Sequence, residues 1–124
     1  MIRLPHPVFI LAFVAAVMSV IALSLVPSPD IPGPDNSDKV AHLLAYGTIA
    51  FCGGLGFQSG PARLKSAVFA ILLGIFLEFA QGMWFERDGS AWDAVANTLG
   101  VGLGLGSAAL ILRVMSRFNS EDVV

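Results

Sequence analysis

Four apolar segments, each close to the length of a membrane-crossing helix, occupy most of this 124-residue chain. A helix needs roughly 20 predominantly apolar residues to cross the hydrocarbon core of a bilayer. The segments run approximately over residues 8–26, 40–57, 64–83 and 92–112. They predict an all-α polytopic membrane protein, a bundle of four transmembrane helices that forms a single domain over residues 1–124.

The composition agrees with a membrane protein and argues against other classes. Hydrophobic residues make up 56% of the chain and charged residues only 13%, too few charges to cover so much apolar surface in a small soluble domain. The lipid bilayer is therefore the expected partner. The formal net charge of -2 offers no basic field for nucleic acid. The one cysteine, Cys52, cannot form an intrachain disulfide, and no cysteine spacing indicates a metal site.

The connections predict how the helices are arranged. Residues 27–38 contain four prolines and cannot be helical, so we predict an extended external loop there. The first apolar segment could also be a signal peptide, but it is longer than a signal core. The tripeptide Ser24-Leu25-Val26 also lacks the small residues of a cleavage site. We therefore predict that this segment is an uncleaved helix.

Lysine and arginine in the short connections predict the orientation, because these residues accumulate on the cytoplasmic side. With the N-terminus inside, the outer side holds only Lys39 and Arg87. The inner side then holds Arg3, Arg63, Lys65, Arg113 and Arg117. The bias predicts both termini in the cytoplasm, an N-in/C-in topology.

Unusual polar residues concentrate in the outer half of this topology. They are Asp38, Lys39, His42, Tyr46, Glu78, Gln81, Arg87, Asp88, Asp93 and Asn97. Within each helix they recur at intervals of three or four residues, so they share one face. Polar side chains that face lipid are costly. We therefore expect the three faces to turn inward and meet at one level.

The residue types leave several uses of this cluster open. Lys39 and Arg87 could hold an anionic group such as a lipid phosphate. His42 beside Glu78 or Asp93 could form an acid–base pair, which makes these three residues the catalytic candidates. His42 with carboxylates could also hold a divalent cation, but spacing alone gives no ligand geometry, so we predict no metal and no cofactor. The structural alternative is that the polar residues only join the helices.

Alternating glycines in the fourth segment predict a close helix contact. Gly100 and Gly104 form one GxxxG pair, and Gly102 and Gly106 form another. Such pairs let two backbones approach closely. The contact can lie inside the bundle or between protomers, and a homo-oligomer would use the face of Gly100 and Gly104.

The polar residues also carry a resemblance to the VanZ-like membrane proteins. It rests on the run Asp38-Lys39-Val40-Ala41-His42-Leu43-Leu44-Ala45-Tyr46, on Glu78-Phe79-Ala80-Gln81, and on Arg87, Asp93 and Asn97-Thr98-Leu99-Gly100 in that order. The match covers roughly residues 20–106. The resemblance implies a bacterial inner-membrane protein with a link to low-level resistance to the glycopeptide teicoplanin. The matching ligand-binding positions are Asp38, Lys39, His42, Tyr46, Glu78, Gln81, Arg87, Asp93 and Asn97.

Together these observations predict a membrane protein that binds an anionic cell-envelope ligand at its extracytoplasmic face, such as an anionic lipid or a lipid-linked precursor. One alternative is an enzyme acting on a lipid-linked substrate, with His42 and Glu78 as acid and base. Another is a small transporter, which would require flux dependent on Glu78. The last is a structural or partner-binding membrane subunit.

Overall fold

Four α-helices make up the part of the chain that the computed structural model describes, which is residues 3–26, 37–84 and 90–121. They are α1 (His6–Leu25), α2 (Ser37–Gly56), α3 (Gly60–Trp84) and α4 (Ala91–Glu121). No strand occurs within these ranges. The prediction of an all-α, four-helix bundle is confirmed for them. Most of the predicted external loop, residues 27–36, lies outside the described residues.

The helix ends differ from the predicted ones because hydropathy traces the apolar part of a helix and not its termini. Proline in a first turn loses no hydrogen bond, and α3 accordingly begins at Gly60 with Pro61 next to it. Arg63 and Lys65, predicted to lie in a loop, are therefore part of the first turns of α3. At the other end of the chain, α4 continues well past residue 112 to Glu121, through a polar stretch.

Three helices, α1, α3 and α4, are long and apolar enough to cross a membrane. The prediction of four such helices is not met by α2, whose sequence includes Lys39, His42 and four glycines. The burial pattern gives a physical reason. α2 packs against each of the other helices, and its residues Ile49 and Ala50 are fully buried. The second half of α2 is covered by protein, which tolerates polar residues and glycine better than lipid does, whereas Val40 and Leu44 in its first half are exposed.

Large apolar side chains are exposed along the other three helices. Examples are Leu11, Leu23, Phe76, Phe79, Leu103 and Leu110. Soluble proteins rarely expose so extensive an apolar surface. The core between the helices is formed by Val17, Tyr46, Ile49, Ala50, Ala67, Ala70 and Val101. The exposed apolar surface and this thin core agree with a bundle that lipid surrounds.

The helices alternate in direction, so α2 and α4 begin at the end of the bundle where α1 and α3 finish. We call this the polar end. It is the end where Gln81 Nε2 donates a hydrogen bond to the Ser24 carbonyl oxygen, 3.0 Å away, which connects α3 to α1. At the opposite end, His6 Nδ1 donates to the Leu55 carbonyl oxygen at 2.8 Å, connecting α1 to α2.

Glycines allow the parallel helices α2 and α4 to touch through their backbones. A Cβ atom added at Gly100 would collide with the Leu43 carbonyl oxygen, and one at Gly104 with the Gly47 carbonyl oxygen. Gly102 faces open space, with no atom within 4 Å of such a Cβ. The Gly100/Gly104 pair thus packs inside the bundle, one of its two predicted uses. Association between chains stays a prediction.

This contact predicts opposite effects for two neighbouring substitutions. Gly104→Ala places a methyl group against backbone atoms that cannot rotate away, and overpacking of this kind costs about 1–3 kcal/mol. Gly102→Ala meets nothing and gains helix propensity, so its free energy of unfolding is expected to stay the same or rise by up to about 1 kcal/mol. Thermal unfolding in detergent measures both. Equal effects of the two substitutions would contradict the α2–α4 contact described above.

Candidate functional site

Six polar residues from three helices meet at the polar end and form what we call the polar cluster. They are Asp38, Lys39 and His42 of α2, Glu78 of α3, and Asp93 and Asn97 of α4. The four-residue spacing of Asp38 and His42, and of Asp93 and Asn97, puts each pair on one helix face. The predicted convergence of these faces is therefore what the structure displays.

His42 lies at the centre of the cluster. Its Nδ1 atom is 3.0 Å from the Asn97 side-chain oxygen and 3.6 Å from Glu78 Oε1. The Glu78 side chain is only 11% exposed. A histidine this close to a carboxylate has the geometry that general acid–base chemistry requires. This arrangement supplies an acid–base pair.

Lys39 is shared between two aspartates. Its Nζ atom is 3.8 Å from Asp38 Oδ1 and 4.0 Å from Asp93 Oδ1. Asp38 lies at the edge, with 59% of its side chain exposed, whereas the side chain of Asp93 is 11% exposed. Among the described residues, Lys39 is the only lysine or arginine at the polar end. Its charge is therefore divided between a solvated and a largely buried carboxylate.

Tyr46 and Gly74 form the floor of the cluster. Tyr46 is 2% exposed and lies one helical turn below His42. A Cβ at Gly74 would lie 3.0 Å from both Tyr46 Cε1 and Asn97 Nδ2. Gly74 therefore leaves the space that both side chains occupy. Sequence reasoning missed it, although it stands four residues before Glu78 on the same face of α3.

Two predicted site residues are not among the six of the polar cluster. Gln81 is buried, and its amide donates to the Ser24 carbonyl oxygen of α1, so this hydrogen bond connects two helices. Arg87, predicted to help hold an anion, lies outside the described residues, as does Asp88.

Two buried polar atoms of the cluster lack a hydrogen-bond partner. One is Asp93 Oδ1, an acceptor, which has Lys39 Nζ 4.0 Å away as its close cation among the described residues. The other is Asn97 Nδ2, a donor on a residue that is 1% exposed. A buried polar atom without a partner costs about 1–3 kcal/mol. Such atoms are uncommon in native proteins, and each calls for an explanation.

An open groove between α3 and α4 has one residue of the cluster, Glu78, in its lining. It has a volume of about 410 Å³ and is lined mainly by apolar residues, among them Ile75, Phe79 and Ala94. Glu78 and Ser90 are its charged and hydroxyl-bearing lining residues. A molecule in this groove would thus have apolar contacts along its length and a carboxylate at its polar part. Ser90 is a second residue that sequence reasoning did not assign to the site.

No protein-family model, curated protein or solved structure matches this chain. The chemistry of the polar cluster and the groove is therefore what bears on function.

The cluster predicts that removing a carboxylate does not weaken the fold. Carboxylate oxygens of Glu78 and Asp93 lie within 4.8 Å of each other, and like charges in a largely buried site repel. Glu78→Gln and Asp93→Asn are therefore expected to keep or raise the wild-type thermal stability in detergent with a chelator present, as neutralised functional sites often do.

Gln81→Leu is the matched comparison, because it removes a buried polar group three residues from Glu78. Loss of its hydrogen bond to α1 should lower the free energy of unfolding by about 1 kcal/mol. If instead the two carboxylate variants lose about 3 kcal/mol or more, as when a buried ion pair is broken, the cluster serves mainly to join the helices.

Proposed function

We propose that this chain is a VanZ-like, four-span protein of the bacterial inner membrane whose polar cluster binds the anionic headgroup of a cell-envelope lipid. The observation that carries this proposal is the position of the cluster. The cluster contains buried, incompletely satisfied polar atoms, and one of its residues, Glu78, lines an open and mainly apolar groove between α3 and α4. Of the nine positions that match in the resemblance, seven belong to the cluster or its floor, namely Asp38, Lys39, His42, Tyr46, Glu78, Asp93 and Asn97.

The fourth span would be α2. Its 20 residues give a helix about 30 Å long, which matches the hydrocarbon thickness of a bilayer. Its position among the other three helices compensates for its lower hydropathy. In the proposed orientation the polar end is extracytoplasmic, and exposed Trp84 and Trp92 lie at the outer interface, where tryptophan is enriched. Arg63, Lys65 and Arg113 occupy the opposite end, as expected for N-in/C-in.

A lipid fits the groove better than a soluble anion does. The apolar residues on both walls suit an acyl or isoprenoid chain, and Ser90 offers a hydroxyl donor. The donors of the cluster itself are Lys39 Nζ and the otherwise unpartnered Asn97 Nδ2, which would bind the headgroup next to the groove residue Glu78. Charged donors bind phosphate strongly because both partners are ionised. A role in glycopeptide resistance follows from the resemblance only and stays a prediction.

A membrane enzyme acting on a lipid-linked substrate is the second candidate. The 3.6 Å separation of His42 Nδ1 and Glu78 Oε1 favours it, since a general base and its partner must lie close together. It predicts turnover of a lipid-linked phosphate that stops in His42→Ala while thermal stability is retained. Binding of the lipid without turnover would favour lipid binding over catalysis as the function.

The proposed function predicts a preference for anionic lipids that depends on Lys39. Native mass spectrometry of the detergent-solubilised chain with phosphatidylglycerol or phosphatidylcholine measures this preference. Lys39→Gln should weaken phosphatidylglycerol binding about fivefold, as expected for roughly 1 kcal/mol per basic residue near a lipid surface. Lys65→Gln makes the same charge change at the opposite end and should leave the preference unchanged.

Equal losses in the two lysine variants would show a diffuse electrostatic effect and contradict a headgroup site in the polar cluster. The absence of any preference for phosphatidylglycerol in the wild type would contradict anion binding altogether.

A further inference from the structure

We infer that His42, Glu78 and Asp93 bind a divalent transition-metal ion, for which Zn²⁺ is the best fit. One ligand atom from each residue lies within 4.8 Å of the other two. The three side chains come from three different helices, so the packing of the bundle brings them together. This inference goes beyond the proposed lipid binding and does not depend on it.

The distances suit ligands that a metal ion would draw together. Two ligand atoms bound to zinc at about 2.1 Å in tetrahedral geometry lie roughly 3.4 Å apart. His42 Nδ1 is 3.6 Å from Glu78 Oε1 and 3.0 Å from Asn97 Oδ1. Small side-chain rotations would complete the site. Binding through Nδ1 would use the neutral tautomer with its proton on Nε2 and leave the Asn97 oxygen beside the ion as a further neutral ligand.

The unpartnered atoms point independently to a cation with an anion bound to it. Asp93 is 7% exposed, and its Oδ1 atom is an acceptor without a donor, which a metal ion would satisfy. Asn97 Nδ2 is a buried donor without an acceptor, which an oxygen on the metal would satisfy. Coordination positions not filled by protein can hold water or the oxygen of an anionic ligand.

The charges of the cluster also favour a cation. Its described residues include three carboxylates, but only one lysine, which is shared between Asp38 and Asp93. A divalent ion binds favourably to carboxylate oxygens, which supply negative charge as ligands.

The donor set selects the kind of metal. One imidazole nitrogen with carboxylate oxygens suits first-row divalent ions more than Mg²⁺ or Ca²⁺, which prefer oxygen alone. Within the first row, affinity for a given nitrogen and oxygen site is greater for Zn²⁺ than for Mn²⁺. We therefore expect Zn²⁺ to bind more tightly than Mn²⁺, and both more tightly than Mg²⁺.

The test is a calorimetric titration of Zn²⁺ into the full chain, free of affinity tag, lipid-depleted and treated with a chelator. We expect one ion per chain and a rise in thermal stability. Asp93→Asn and Glu78→Gln should weaken binding by more than about tenfold, since even changes that only support a ligand cost roughly 10–100-fold. Co²⁺ should give the absorption bands of a nitrogen- and oxygen-ligated ion, and these should be lost in both variants.

Glu121→Gln is the matched control, because it removes one carboxylate charge at the opposite end of α4 from Asp93. It should leave the affinity for Zn²⁺ within about twofold of the wild type, well short of the loss for a ligand. No stoichiometric binding by the wild type, or equal losses in Glu121→Gln and Asp93→Asn, would overturn the inference. Lipid preference measured with chelator present separates this outcome from failure of the proposed function.

Discussion

The backbone contact between α2 and α4 is the constraint on which the rest of this structure depends. Gly100 against Leu43, and Gly104 against Gly47, fix both the separation and the register of these parallel helices. One turn closer to the polar end, that register brings His42 to Asn97. A side chain larger than hydrogen at either α4 glycine would separate the backbones and with them the two residues.

The polar cluster, unlike this glycine contact, contains unfavourable interactions. The glycine contact packs two backbones closely, whereas the cluster gathers carboxylates and leaves Asp93 Oδ1 and Asn97 Nδ2 without hydrogen bonds. Polar networks that are only partly satisfied are costly in a low-dielectric interior. A bound cation and the anionic headgroup it attracts would satisfy both atoms. The proposed lipid site and the inferred metal site thus describe two parts of one arrangement that can be tested separately.

Much of the fold followed from hydropathy and helical spacing. The four helices were predicted in order, with errors at their ends because the polar stretch of α4 beyond residue 112 leaves no apolar signal. The membrane prediction is met by three helices, and α2 has a lower hydropathy because much of it packs against the other helices. Residues without chemistry of their own, such as Gly74, gave no signal, since what matters there is the space left for Tyr46 and Asn97.

The sequence by itself determined which residues share a helix face, because the period of an α-helix relates positions three and four apart whatever surrounds it. That relation was enough to predict that His42, Glu78, Asp93 and Asn97 face one another. Only the tertiary structure decided the pairs: His42 with Asn97 and Glu78, Lys39 with Asp93, and Gln81 with α1. Contacts between helices depend on rotation and register, which are set by where the glycines let two backbones meet.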